Sequence, residues 1–253
     1  GHYSPSSCRK VLRAFVKELD GRKTLDGVRL SGCENGDIRW FNKSYSRAVL
    51  GDPLVRTRLG ALDIHSYCLH MPIPFFNNRM SFLKRFAKWM SKNYPDVPVN
   101  MSEWAHMQGG RDKGMDSALV TANVMYEDLS VLNVISWQHW IAVSEVNYCD
   151  GLIYINLDDK TFEMTKRYYV TGNFSKYVPA GSVRVDAACD DPGGLVALDL
   201  GHFHLGDEGG LIVLIPQQAR DIGHGHQLFG LEGNGDLGRG RIGVDIVRLA
   251  QVV

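Results

Sequence analysis

The chain has 253 residues, 44% of them hydrophobic, enough to bury a sizeable core in one or two globular domains. Lys plus Arg and Asp plus Glu both number 28, so the formal charge is zero; that excludes a uniform field drawing in nucleic acid or an anionic membrane and suits a neutral ligand such as a sugar polymer. No run approaches the roughly 18–20 consecutive apolar residues of a membrane span, and the amino-terminal GHYSPSSCRK holds no apolar signal region.

In chain order, Ser4-Pro5 opens a helix to Asp20 with apolar residues at Val11, Leu12, Phe15, Val16 and Leu19. A strand-like run, Val28–Cys33, then ends in Glu34-Asn35. The next strand, Ala61–Ile64, ends in His65-Ser66-Tyr67 and is followed by a helix with Phe82, Leu83, Phe86, Trp89 and Met90 on one face, stopped near Pro95. Val97–Met101 ends in Ser102-Glu103-Trp104. Asp116 is placed to cap a helix carrying Leu119, Ala122, Met125, Tyr126 and Leu129, after which the strand Asn133–Ser136 ends in Trp137-Gln138-His139-Trp140.

The strand ends at positions 34, 65, 103 and 137 recur every 31 to 38 residues, the spacing of βα units around a parallel sheet. In each unit the polar and aromatic residues gather at the carboxyl end of the strand, where α/β folds place their chemistry. Taken singly, Glu103 reads equally as a surface carboxylate, His65 and Tyr67 as hydrogen-bonded rim residues, and Trp137 and Trp140 as core. Acid, imidazole, phenol and indole at one end of successive strands would instead line one pocket, and flat apolar sugar faces stack on such rings. The five cysteines (Cys8, Cys33, Cys68, Cys149 and Cys189) are scattered without a CxxC pair and read as unpaired thiols.

These residues carry a resemblance. VRLSGCENGDI, ALDIHSY, VNMSEW and VISWQHW are similar, in that order, to the fifth, sixth, seventh and eighth strands of the glycoside hydrolase family 30 barrel. HYSPSSCRK resembles the helix after its fourth strand, DGLIYINLDDKTFEMTKRYYVTGNFSKYV the segment after its eighth, and PAGSVRVDA the entry to its side β-sandwich. The resemblance spans residues 1 to 187, and the subgroup it points to first is the endo-β-1,6-galactanases, with relatives acting on other β-linked glycans close behind. It implies an α/β fold, the second half of a (β/α)8 TIM barrel over 1–180 with about four βα units, followed by a β-sandwich remnant over 181–253.

The resemblance further implies a secreted, retaining endo-β-glycosidase with no cofactor and no metal. Glu103 would be the nucleophile, and Glu34, Asn35, His65, Tyr67, Trp104, Trp137 and Trp140 substrate-binding, His65 and Tyr67 also orienting Glu103 and the three indoles walling subsites. The family's acid/base lies in an Asn-Glu-Pro motif after the fourth strand, and no Asn-Glu-Pro occurs in this sequence. The expectation is therefore a carboxyl half that carries the nucleophile without its acid, or, alternatively, a catalytically inert glycan-binding chain. Glu34, at the end of the adjacent strand, is the nearest substitute acid and reads first as a loop hydrogen-bonding group. The partner implied is a β-linked oligo- or polysaccharide, not nucleic acid or membrane. Unpaired strand edges of a half barrel would also favour self-association.

The tail differs. From Asp190 to Val253 there are 14 glycines in 64 residues and no Ser, Thr, Lys, Tyr, Trp or Met, whereas a β-sandwich is rich in Thr, Tyr and Ser. The pairs His202/His204 and His224/His226 lack a third convergent ligand for a metal site. The change of composition points to a reading frame that departs from the family's near Asp190.

Overall fold

A computed structural model describes residues 4–39, 41–68, 78–184, 195–197 and 214–216, of which 41–42, 195–197 and 214–216 are described by their backbone alone. The His202/His204 and His224/His226 pairs, Cys189 and most of the glycine-rich tail lie outside the described residues. The chain divides into two compact units, one of residues up to 109 with 127–142 and 148–151, the other of 110–126, 143–147 and the residues from 152 onward.

In the first unit, α1 (Pro5–Asp20) starts as its sequence dictates: the Ser4 hydroxyl accepts the Ser7 N–H, and Pro5 occupies the first turn, where a missing N–H costs nothing. Its buried stripe is narrower than its periodicity implies, with Val16 and Leu19 buried but Val11 and Phe15 exposed. Strand β1 (Leu30–Asn35) leads to α2 (Phe41–Leu50) and the short α3 (Pro53–Arg58). The Asp52 carboxylate caps α3 through the N–H groups of Leu54 and Val55 and accepts Arg13 of α1 at 2.8 Å, tying the helices together. Strand β2 (Leu59–His65) is followed by α4 (Arg79–Asn93), capped by Asn78, which buries Phe82, Leu83, Phe86 and Met90 on the expected face.

Strand β3 (Val99–Trp104) and β4 (Ser136–His139) complete a four-stranded parallel sheet in the order β1-β2-β3-β4, which stays open among the described residues. Leu62, Ile64 and Met101 are wholly buried on one face of it, and Ala61 and Asp63 are buried on the other face of β2. The strands run one to three residues further toward their carboxyl ends than the apolar runs suggest. Polar residues continue the ladder, with His65 opposite Glu103 and Trp104 opposite His139, because backbone pairing does not require an apolar side chain.

The second unit contains α5 (Met115–Glu127) apart from its last residue, a small sheet of β5 (Val143–Ser144), β6 (Ile153–Asn156) and β7 (Thr161–Met164), and α6 (Lys166–Tyr177). Asp112, not Asp116, receives the N–H groups at the start of α5, those of Gly114 and Ser117. The inner face of α5 includes the polar Ser117 and Thr121 because Ser117 accepts the fully buried Arg167, which also binds the Asp112 carbonyl and the Tyr154 hydroxyl. Beyond residue 184 the described backbone is one antiparallel pair, β8 (Leu195–Ala197) with β9 (Leu214–Pro216).

Candidate active site

Every residue singled out at the strand ends belongs to the first unit. Glu103, one residue before the end of β3, lies in register with His65 at the end of β2. Tyr67, two residues further on, donates its hydroxyl to Oε1 of Glu103 at 3.2 Å, and Nδ1 of His65 stands 3.5 Å from the same oxygen. Oε2 of Glu103 has no such contact among the described residues, and the side chain keeps 29% of its surface exposed. The arrangement grips one carboxylate oxygen and leaves its twin for chemistry. Burial, with the charge of Glu103 next, pushes the Tyr67 phenol well above its ordinary value, so it serves as a donor throughout the working pH range.

The other face of the imidazole is taken by Glu34. Nε2 of His65 lies 2.7 Å from its Oε2, which also accepts the Ser102 hydroxyl at 2.6 Å. The hydrogen bond from His65 holds the Glu34 carboxyl below its ordinary value against the opposing effect of burial, with Ser102 adding to it. Asp63 goes the other way: burial pushes it up, with Ser31 and Asn100 opposing. One imidazole thus joins two carboxylates from neighbouring strands.

The aromatic residues divide. Trp104 is 6% exposed and sits among Trp137 at a 6.0 Å ring separation, His139 and His106, so it takes the core reading rather than that of an open subsite wall. Trp137 is half-buried, and Trp140, just past β4, is 51% exposed. Asn35 is buried, with its amide donating to the Asp37 carbonyl at 2.9 Å within its own loop.

Beneath these side chains lies a polar cluster that sequence reasoning missed. Asp128, at the start of a π turn (Asp128–Leu132), has no exposed surface and accepts Ser66, Trp137 and Arg79. Arg79 also pairs with Glu127 and binds the Ser66 hydroxyl. Burial pushes both the Asp128 and Glu127 carboxyls up against the pull of Arg79. The helical pattern continued through Leu129 and so gave Asp128 no distinguishing mark. Its only sequence signal was the pair of acids at 127–128 interrupting an apolar stretch.

Residues 40–154 match the model of O-glycosyl hydrolase family 30. The matched segment contains His65, Tyr67, Glu103, Trp104, Trp137 and Trp140, while Glu34 and Asn35 precede it. Solved structures share the fold. A conserved exported protein from Bacteroides fragilis is 16% identical with a TM-score of 0.63, covering 78% of this chain and 47% of that one. A family 30 endoxylanase from Clostridium papyrosolvens C71 is 16% identical with a TM-score of 0.57, covering 84% and 45%. An endo-β-1,6-glucanase is 16% identical with a TM-score of 0.55, covering 79% and 45%. The chain therefore spans a little under half the length of each of these family 30 and related structures. Over residues 40–154 the chain resembles O-glycosyl hydrolase family 30, and the solved structures share its fold.

Proposed function

We propose that the chain carries the nucleophile of a secreted, retaining endo-β-glycosidase, with β-1,6-linked galactan as its first candidate substrate and other β-linked glycans next. The observation that carries this reading is Glu103: a partly exposed carboxylate at the carboxyl end of a parallel strand, with one oxygen bound by the Tyr67 hydroxyl and flanked by His65, and the other unengaged among the described residues. In the reaction, a lone pair of Glu103 forms a bond to the anomeric carbon as the bond to the leaving oxygen breaks. Water then attacks the same carbon and returns Glu103 as carboxylate. Tyr67 and His65 stabilise and aim the attacking anion. Trp140 offers the exposed ring for a sugar face, and Trp137 adds a half-buried one.

The reading assigns the proton donor to no residue of this chain, since no Asn-Glu-Pro occurs in it. The alternative, a glycan-binding chain without turnover, draws on the same fact. A dinitrophenyl β-1,6-galactobioside separates the two. Its phenolate leaves without protonation, so a working Glu103 gives a burst of phenolate and a covalent glycosyl adduct, which azide releases as a β-glycosyl azide by forming the carbon–nitrogen bond. Glu103→Gln should abolish both burst and azide product. Binding of the sugar without a burst would leave the binding reading and overturn the nucleophile.

A further inference from the structure

Glu34 occupies a backbone conformation that its side chain alone does not favour. Its φ is +57°, in the left-handed region that non-glycine residues rarely adopt. The β1–β2 register shows why: Cys33 lies opposite Asp63 and Asn35 opposite Ile64, so Glu34 is the extra residue of a bulge. A bulge re-aims a side chain, and here the carboxylate reaches across β2 to His65 Nε2 at 2.7 Å and to Ser102 of β3 at 2.6 Å. The other nitrogen of the ring faces Glu103 at 3.5 Å.

We propose that Glu34 is a positioning residue for Glu103, acting through His65: the bulge aims its carboxylate at Nε2, which fixes the ring so that Nδ1 faces the nucleophile. The inference rests on the reading of Glu103 as nucleophile and replaces the sequence expectation that Glu34 contacts substrate. An imidazole held at one nitrogen by an ionised acceptor keeps one ring orientation, as a histidine ligand of a metal does when a carboxylate holds its far nitrogen. Ser102 holds the same Glu34 oxygen from β3 while also donating to the Ile64 carbonyl of β2, so three neighbouring strands fix the geometry. Without the carboxylate, the ring can turn about its Cβ–Cγ bond, and Glu103 loses a neighbour on its gripped oxygen.

Two measurements on the full chain test this. The first observes His65 directly in protein labelled with 15N-histidine, its signals among the nine histidines assigned with a His65→Gln variant. Nε2 should bear a proton, and Nδ1 should shift on Glu103→Gln. In Glu34→Ala the Nε2 signature should change, and the response of Nδ1 to Glu103→Gln should vanish. Signals unchanged by Glu34→Ala would overturn the proposal whether or not the chain turns over any substrate. The second follows the rate of covalent adduct formation from the dinitrophenyl glycoside by mass spectrometry. Glu34→Ala should lower the maximal rate about 10- to 100-fold at an unchanged half-saturating concentration, and Glu34→Gln, whose amide oxygen can still accept from Nε2, should recover part of it. A raised half-saturating concentration with the maximal rate intact would mean that Glu34 contacts substrate, and a rate within twofold of the unmodified chain would make it a loop residue only; either overturns the proposal. Absence of any adduct on the unmodified chain would refute the nucleophile reading instead, and the 15N signals would still decide whether Glu34 holds His65 toward Glu103.

Discussion

The indole N–H of Trp137 reaches Oδ2 of Asp128 at 3.0 Å, and that carboxylate has no exposed surface. The ring offered at the end of β4 is therefore oriented from below by a buried acid that also holds Arg79 and Ser66. Asp128→Ala would leave the Arg79 guanidinium partly uncompensated and is expected to cost about 3–5 kcal/mol, read by urea denaturation. Asp128→Asn keeps an acceptor for Trp137 and should cost less. Equal losses would show that the indole bond contributes nothing.

Tyr67→Phe removes the hydroxyl that reaches Glu103 at 3.2 Å and leaves the ring in place. A hydrogen bond to a charged group contributes about 1.5–3 kcal/mol, so adduct formation should slow by at least about tenfold. Thermal unfolding should barely move. A large fall in stability with an unchanged rate would place Tyr67 in the core instead.

The paired carboxyls of Glu34 and Asp63 respond to pH in opposite directions. Glu34 is held below its ordinary value, first by His65, so its contribution to stability is present above the ordinary carboxylate range and lost as pH falls through the folded value. Asp63 is raised, first by burial, so its contribution is present at low pH and lost as pH rises from the ordinary value through the folded one. In urea denaturation across pH, Glu34→Gln should be less stable than the unmodified chain at neutral pH, and the gap should close on acidification. Asp63→Asn should gain on the unmodified chain as pH rises, and gaps independent of pH would contradict both.

Arg167 is fully buried and binds the Asp112 carbonyl at 2.6 Å, the Ser117 hydroxyl at 2.5 Å and the Tyr154 hydroxyl at 2.9 Å. Arg167→Lys retains charge but lacks the planar fork that spans these acceptors, and a loss of about 3 kcal/mol or more is expected in the same urea assay. A loss below about 1 kcal/mol would mean that a point charge suffices there.

Among the described residues, β1 and β4 each have a strand partner on one side only. Open strand edges recruit other chains, so sedimentation at micromolar concentration should show association of the isolated chain. A compact monomer would contradict this.

The sequence by itself determined the repeat of strand and helix and the collection of polar residues at strand ends, because side-chain periodicity and helix-start chemistry act within a few residues. Ser4-Pro5 and the Phe82–Met90 stripe behave as read. The acid of the candidate site, Glu103, was also legible, since it stands where the apolar run of its strand breaks off. Tertiary structure alone decided which groups meet. The bulge at Glu34 brings its carboxylate to His65, and Trp104 sinks into a cluster of rings while Trp140 stays exposed. Asp128, indistinguishable along the chain from a helix-surface acid, becomes the buried hub under the site. The physical reason is register: a one-residue slip between strands reverses which side chain faces which neighbour, and that choice is made by pairing across the sheet, which leaves no periodic trace in the chain.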